Sequence, residues 1–139
     1  ILSGRHVNDQ MGVFVADKLL RLMNERLIDI TNAKVLLLGV TFKENCPDIR
    51  NSKAFDILDH LKNKGVEVDV FDPFANAEEV QQKHQLTLVT ELATYDGIII
   101  AVAHDFFKAL DYGKLQRNKK AVIFDTKAFL DKSIVTARL

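Results

Sequence analysis

The feature that most constrains the fold is an uninterrupted apolar run, "VLLLGV" at residues 35–40. A strand exposed on one face alternates apolar and polar residues, so a run without alternation indicates a strand that is buried on both faces. The segment "GIIIAVA" at 97–103 has the same character. Strands of this kind occur in parallel sheets that helices cover on both sides, and we therefore expect an α/β fold.

Helical and strand patterns alternate along the rest of the chain, as right-handed βαβ crossovers require. The spacing of apolar residues predicts helices at 5–28, 53–64 and 76–84. We expect the remaining strands at 66–72, 86–89 and 120–126, and single helical turns at 91–95 and 104–110. The sequence thus predicts a Rossmann-like three-layer domain with a mainly parallel sheet, preceded by a long connecting helix that stands outside the alternation.

Composition and charge exclude several classes of protein. The 139 residues include 19 basic and 19 acidic side chains, and this balance argues against a general nucleic-acid binder, which needs a basic excess. A single cysteine, Cys46, excludes a disulfide framework and a multi-cysteine metal site, and it fits a reducing, cytoplasmic location. The apolar runs are too short to span a membrane. Because the chain begins without methionine inside a helical pattern, we expect it to be part of a longer protein.

The loop after the first apolar strand carries charge where a dinucleotide-binding loop carries glycines. Gly39 has no second or third glycine behind it, and Lys43 and Arg50 stand in the loop instead. Ligands of open parallel sheets bind beyond the carboxyl ends of the strands, where the strand order reverses. For the usual order 3-2-1-4-5, the loops that meet at this point carry Phe42, Lys43, Arg50, His104, Asp105 and Lys127. Cations from separate loops at one edge predict a local anion site.

Each of these residues also has a structural interpretation. Lys43 and Lys127 can be solvated surface lysines, because charged residues are mostly exposed. Arg50 can simply pair with Asp48, an interaction worth little at the surface. Phe42 can fill the core or lie beside a ligand.

Three further residues have both chemical and structural interpretations. His104 can act as a base or cap the turn that follows it, and the cap is favoured. Asp72 ends the second strand, where a dinucleotide site keeps its ribose-binding acid, but without the glycines a helix cap is favoured. Cys46 precedes Pro47 and has no base nearby in the sequence, so an inert, packed thiol is favoured over a nucleophile.

Five segments together carry a family resemblance. They are "GRHVNDQMGVFVA" (4–16), "VLLLGVTFKENCPDIRNS" (35–52), "VEVDVFDP" (66–73), "AVAHDFF" (101–107) and "FDTK" (124–127). The set resembles the C-terminal part of the UDP-glucose/GDP-mannose dehydrogenase family, and "TFKENCPDIRNS" is its most specific element. Within the family, it is most similar to bacterial enzymes that oxidise UDP-N-acetylhexosamines to uronic acids for capsule or O-antigen polysaccharides.

The resemblance implies a function for a longer protein. Family members have an N-terminal NAD-binding domain, a central helical dimerisation region and a C-terminal domain that holds the UDP part of the substrate. They oxidise a C6 alcohol to a carboxylate in two NAD-dependent steps, through a thiohemiacetal on a cysteine that would precede this chain. By this resemblance, residues 1–30 end the dimerisation helix and residues 31–139 form the UDP-sugar-binding domain. The expected partners are a UDP-sugar, the N-terminal domain and a second copy of the chain, and the chain alone is expected to be inactive.

The resemblance also implies individual contacts. Phe42 and Lys43 match residues that contact the UDP-sugar, with the lysine near the diphosphate. Lys127 stands where many relatives have the arginine of an "FDGR" pattern, so it keeps the charge but loses the bidentate fork. Arg50 matches the arginine that reaches the NAD pyrophosphate across the interdomain cleft.

Two positions near the start of the chain and two rival hypotheses remain open. Arg5 and Asn8 match a "GRxxND" signature and are assigned to the substrate, with a subunit interface as the alternative.

The chain as a whole is then either a UDP-sugar-binding domain or a non-catalytic dimerisation module driven by its wide-faced first helix. An autonomous NAD-binding domain is disfavoured because Gly39 stands alone.

Overall fold

The structure, a computed structural model, describes the backbone of residues 2–139 and the side chains of residues 11–139. The helices are α1 (Leu2–Glu25), α2 (Ala54–Asn63), α3 (Ala77–His84) and α4 (Tyr112–Leu115), with 3-10 turns at Ile30–Asn32 and Asp105–Ala109. The strands are β1 (Lys34–Leu38), β2 (Glu67–Phe71), β3 (Gly97–Ile100), β4 (Val122–Asp125) and β5 (Ala137–Arg138).

The five strands form one sheet in the order β2-β1-β3-β4-β5, and every pair is parallel. The predicted α/β fold is therefore confirmed, with the strand order reversing between β1 and β3. Leu38 lies opposite both Phe71 and Ile100, and Ile100 lies opposite Asp125. Because four neighbouring strands end at the same level, the loops that follow them leave from one rim of the sheet.

Both faces of the sheet are buried, as the apolar runs predict. Val35 and Leu37 point to the face covered by the longer helices, while Leu36 and Leu38 point to the opposite face. That opposite face is covered by the 3-10 turn at Asp105–Ala109, by α4 and by the buried ring of Tyr95. Since alternate residues of one strand enter two separate apolar clusters, residues 35–38 of β1 have no face left for water.

The second half of α1 is part of the main core. Leu19 and Met23 are fully buried, and the sulfur of Met23 would lie 3.1 Å from a Cβ added at Gly97 on β3. The helix therefore packs closely on the sheet, although the sequence pattern placed it outside the βαβ alternation. The division of the chain at residue 30 stays a prediction. Within residues 2–139, no helix is at once long enough and apolar enough to cross a membrane.

Two local predictions were wrong. Residues 86–89 form no strand, because only Val89 reaches the sheet, with its N–H donating to the carbonyl of Val70 at 2.9 Å. Residues 91–95 form no helical turn. The fifth strand is β5 at the other edge, whose two paired residues are too few to produce a sequence pattern.

Gly39 lets the chain turn away from β1 while staying in contact with the segment that follows β3. Its φ is +97°, and an added Cβ would lie 2.6 Å from the Cβ of Val102. Its N–H donates to the carbonyl of Phe71 at 3.1 Å, so the turn starts while still bonded to the end of β2. Gly65, after α2, also has a positive φ of +83°, but nothing lies within 4 Å of an added Cβ.

We predict that Gly39→Ala lowers the free energy of unfolding by about 3 kcal/mol or more, because it combines backbone strain with a clash. Gly65→Ala is the matched control and should cost only about 1 kcal/mol, since it adds the strain alone. Urea denaturation followed by circular dichroism measures both. Equal losses for the two variants would contradict the account of close packing at Val102.

Candidate functional site

A cavity of about 340 Å³ opens at the rim where β1, β3 and β4 end, between these loops, α1 and the start of α2. We call it the rim cavity. Its walls include Met11, Gly12, Val15, Thr41, Phe42, Lys43, Glu44, Asn51, Ser52, Lys53, Thr126, Lys127 and Leu139. The structure thus brings together Phe42, Lys43 and Lys127, which the sequence placed on separate loops.

The rim cavity is rich in positive charge. Lys43 and Lys127 are exposed, and neither forms an ion pair with any side chain that the structure describes. Lys53 adds a third ammonium group, and Glu44 has the one carboxylate side chain among the described lining residues. Phe42 is 56% exposed, so its ring faces the solvent at this rim instead of filling the core. The walls suit an anion that also carries a flat or apolar group.

The β1 loop, residues 39–53, is held in place by a buried polar network. The N–H of Val40 donates to Oδ2 of Asp72 at 2.8 Å, and the N–H of Asn45 donates to Nδ1 of His104 at 2.8 Å. Nε2 of His104 lies 3.1 Å from Oδ2 of Asp72 and 3.2 Å from the hydroxyl of Thr41. Side chains at the ends of β2 and β3 therefore fix both sides of Phe42 and Lys43.

Asp72 acts as an acceptor for backbone groups and does not cap α3, which begins at Ala77 and is capped by the side chain of Asn76. Its Oδ1 accepts the N–H groups of Phe74 at 2.8 Å and Ala75 at 3.2 Å. Burial acts to raise the pKa of Asp72, but the hydrogen bonds from His104 and from the Val40 N–H outweigh it and hold the pKa below its ordinary value.

His104 also differs from its favoured interpretation. It stands at the start of the 3-10 turn at Asp105–Ala109, yet its side chain makes no cap hydrogen bond. The ring is fully buried instead, stacked on Phe74 with centroids 4.5 Å apart. Both ring nitrogens serve the network described above.

A second buried aspartate shapes the loop that carries Lys127. Oδ1 of Asp125 accepts the N–H of Lys127 at 3.0 Å, and Oδ2 accepts those of Phe129 and Leu130, each at 2.8 Å. The hydroxyl of Thr126 donates to the carbonyl of Ile100 at 2.6 Å. This loop is therefore tied back to β3 and β4, and it leaves the Lys127 side chain exposed.

Arg50 lies outside the rim cavity and lines a second cavity of about 300 Å³ beside α2 and α3. Its Nε and Nη2 donate to the carboxylate of Asp48 at 3.0 and 2.9 Å, so the pairing considered from the sequence is present. The hydrogen bonds from the side chain and the N–H of Arg50 lower the pKa of Asp48 to about 2. Asn51 and Ser52 line both cavities and separate them.

The remaining predicted residues have little part in the described site. Arg5 and Asn8 lie outside the residues whose side chains the structure describes, so their assignment stays a prediction. Cys46 is a free, half-buried thiol in the β1 loop and lines neither cavity. Asp105 accepts a hydrogen bond from the Asn45 side chain at 3.2 Å, which helps to join the β1 loop to the loop after β3.

Sequence reasoning missed Ser52, Lys53 and Thr126 as wall residues. Ser52 and Lys53 stand directly before α2, and the Ser52 hydroxyl accepts the N–H of Ala54 at 3.3 Å. Their signal was present, since the start of a helix that follows a strand-to-helix loop faces the same rim as the loop itself. No comparable signal marked Met11 and Gly12, because the approach of α1 to the rim depends on tertiary packing.

Comparison with known proteins identifies relatives of one kind. The UDP binding domain of the UDP-glucose/GDP-mannose dehydrogenase family matches residues 36–132. UDP-N-acetyl-D-glucosamine 6-dehydrogenase of Pseudomonas aeruginosa is 43% identical over 100% of this chain and 34% of its own length. The enzyme with the same name from Salmonella typhi is 40% identical over 94% of this chain and 32% of its own length. The chain therefore spans about a third of these relatives.

Solved structures agree in fold. UDP-N-acetyl-mannosamine dehydrogenase Cap5O from Staphylococcus aureus superposes with a TM-score of 0.74 at 27% identity, over 97% of this chain and 32% of that one. NDP-N-acetyl-D-galactosaminuronic acid dehydrogenase from Methanosarcina mazei Go1 gives a TM-score of 0.81 at 23% identity, over 96% of this chain and 28% of that one. The second likeness is of fold alone.

We predict that Asp72→Asn lowers the free energy of unfolding by about 3 kcal/mol near pH 7, because the amide nitrogen cannot accept and leaves buried N–H donors without a partner. The folded pKa of Asp72 is lowered, so its stabilisation is present above the unfolded value of about 3.9 and is lost as the pH falls through the folded value. The gap between the wild type and Asp72→Asn should therefore narrow below about pH 4. Urea denaturation at several pH values measures it.

The control for this experiment is Asp59→Asn, which removes an exposed carboxylate of α2. It should leave the unfolding free energy within about 0.5 kcal/mol of the wild type across the same pH range. A gap for Asp72→Asn that stays constant down to pH 3 would contradict a stabilising ionised carboxylate at this position.

Proposed function

Because the chain belongs to the UDP-glucose/GDP-mannose dehydrogenase family, whose UDP binding domain it contains, we propose that the rim cavity binds the UDP part of a UDP-sugar. The observation that supports this most is the convergence of Lys43, Lys127 and Phe42 on one cavity. The two ammonium groups suit a diphosphate, and the exposed ring offers a flat apolar surface to a base or sugar.

Lys43 and Lys127 would act as point charges, without the bidentate geometry of an arginine side chain. An ammonium group presents three donors on a flexible stem, so Lys43 and Lys127 can approach the diphosphate oxygens from opposite loops. The hydroxyls of Thr126 and Ser52 and the amide of Asn51 line the same walls and supply neutral hydrogen-bonding groups. Such a site binds through charge and shape.

We propose for the longer protein the oxidation of the C6 alcohol of a UDP-hexose or UDP-N-acetylhexosamine to a uronic acid. The names of the relatives at 43% and 40% identity support this reaction class. In this scheme, the chain supplies binding energy from the part of the substrate that does not react, which positions C6 at groups elsewhere in the protein. The chain alone should be inactive.

NAD would be the hydride acceptor of that reaction, and this chain fits only a peripheral contact with it. The β1 loop has Gly39 alone, without the glycines that let backbone approach a pyrophosphate. The Arg50 side chain is 75% exposed, and its bond to Asp48 uses Nε and Nη2, which leaves Nη1 for an outside phosphate. We propose that Arg50 makes this contact and that an N-terminal domain holds the rest of the cofactor.

A second proposal concerns assembly. Met11 and Phe14 lie one turn apart on α1 and are 43% and 52% exposed, although the same helix buries Leu19 and Met23. Val13 is exposed too, at 39%, so neighbouring apolar side chains stay exposed on a helix whose later turns enter the core, and such a patch suits an interaction surface. We propose that this face of α1 contacts a second copy of the chain in a homodimer.

We predict that the chain binds UDP saturably in isothermal titration calorimetry and that Lys43→Ala weakens the affinity about tenfold, since one charge-assisted contact to the diphosphate is lost. Raising the salt concentration should weaken binding by the wild type, because the lysines are exposed. Lys62→Ala is the control. It removes the same charge from the last turn of α2, at the end opposite to the rim cavity, and should leave the affinity unchanged. No saturable heat with UDP, or equal effects of the two variants, would refute the proposed site.

We predict that Phe14→Glu abolishes concentration-dependent self-association in sedimentation velocity, because it places a charge in the centre of the proposed contact. Leu27→Glu is the matched control, since Leu27 is 85% exposed but lies past the end of α1. A point variant is preferable to deletion of residues 1–30, which would remove the buried Leu19 and Met23. A wild-type chain that stays monomeric at all concentrations would contradict the dimer.

A further inference from the structure

His104 is a fully buried imidazole at the carboxyl end of β3, directly behind the loop that carries Phe42 and Lys43. It does not line the rim cavity, and no exposed surface gives a ligand access to it. The proposed binding of UDP leaves this residue without any part to play. Burying a polar imidazole costs free energy, and only its hydrogen bonds offset that cost. We therefore look for the role of His104 in the groups that it bonds.

The hydrogen bonds fix the tautomer of the ring. The N–H of Asn45 donates to Nδ1, so Nδ1 carries a lone pair and no proton. The hydroxyl of Thr41 donates to the carbonyl of Lys43 at 3.0 Å, so its oxygen is free to accept from Nε2. Oδ2 of Asp72 is an acceptor as well. Nε2 therefore bears the ring proton and faces two acceptors, while Nδ1 faces one donor.

This arrangement grips the β1 loop on both sides of Lys43. Through Nδ1, the ring holds the backbone of Asn45, whose φ of +58° is a conformation that few side chains adopt. Through Nε2, it holds Thr41, whose hydroxyl in turn holds the Lys43 carbonyl. The side chain of Asn45 adds two bonds to Asp105, at 3.0 and 3.2 Å.

We propose that His104 is a positioning residue for the nucleotide site: its Nδ1, by accepting the Asn45 N–H, sets the place of Phe42 and Lys43 at the rim. This inference rests on the proposed function for its consequence in binding, but the loop geometry that it describes exists without ligand. Acid–base chemistry by His104 is excluded by its burial, with the rings of Phe74 and Phe107 at 4.5 and 5.2 Å on its sides.

Two substitutions separate the hydrogen bond made by Nδ1 from those made by Nε2. In His104→Asn, the amide oxygen stands one bond beyond Cγ, as Nδ1 does, and can still accept the Asn45 N–H. In His104→Gln, the amide reaches the place of Nε2 and can still donate to Asp72, but nothing accepts the Asn45 N–H. Both variants lose the ring and its stacking on Phe74, so each is the control for the packing effect in the other.

We expect both variants to lose thermal stability to a similar extent, whereas UDP affinity falls about tenfold in His104→Gln and less than threefold in His104→Asn. Amide hydrogen exchange of the ligand-free chain should show the Asn45 N–H protected in the wild type and His104→Asn and unprotected in His104→Gln. A role in packing alone cannot divide the two variants in this way. Equal affinity losses, or wild-type affinity in His104→Gln, would overturn the proposal.

Two further cases need their own measurements: variants that do not fold, and a wild type that does not bind UDP. If neither variant folds, nitrogen-15 spectra of the wild-type imidazole should show an unprotonated Nδ1 and a protonated Nε2, together with slow exchange at Asn45. A protonated Nδ1 or a rapidly exchanging Asn45 amide would overturn the proposal. If the wild type does not bind UDP, the proposed function fails, and the exchange pattern of the two variants still decides whether Nδ1 positions the loop.

Discussion

The site depends on buried carboxylates that accept backbone N–H groups at the ends of strands. Asp72 does this after β2 and Asp125 after β4, and each binds three N–H groups from loops at the rim. A carboxylate in this position satisfies donors that would otherwise be buried without partners. For Asp72, the donors in turn hold the pKa below its ordinary value. The loops are thereby fixed by bonds on their inner side, and their outer side chains are left for a ligand.

This arrangement explains why a nucleotide-binding fold can do without a glycine-rich loop. A loop of glycines offers its own N–H groups to a pyrophosphate, so the backbone must face outward. In the β1 loop, the N–H groups of Val40, Phe42 and Asn45 are already used within the protein. An anion site here needs charge from side chains, and this is the role that we propose for Lys43 and Lys127. The difference from a dinucleotide site lies in which side of the backbone carries the hydrogen bonds.

The sequence was sufficient for the parts of the structure that depend on local pattern. The apolar runs predicted β1 and β3, and the common rim of parallel strands placed Lys43 and Lys127 at one edge. The hydrogen bonds of His104 were not predictable, because its partners are far away in the sequence. Asp72 is 32 positions from His104, and Thr41 is 63 positions from it. In the sequence, a histidine followed by an acidic residue indicates the start of a turn. Only the fold shows that the ring of His104 is bonded to Asp72 at the end of β2. The position of α1 in the core was hidden for the same reason, since a helix pattern does not say which sheet it covers.

α1 contacts the rim cavity, the solvent and the hydrophobic core with different residues. Gly12 and Val15 form part of the wall of the rim cavity, Phe14 points to solvent, and Leu19 fixes the helix in the core. The contact with α2 is so close that a Cβ added at Gly12 would lie 2.7 Å from the Cβ of Asp56. A second copy bound to the outer surface of α1, as proposed above, would therefore contact the helix whose Met11, Gly12 and Val15 line the rim cavity. The proposed dimer contact and the proposed nucleotide site would then share one helix, so a substitution on α1 that alters one can alter the other.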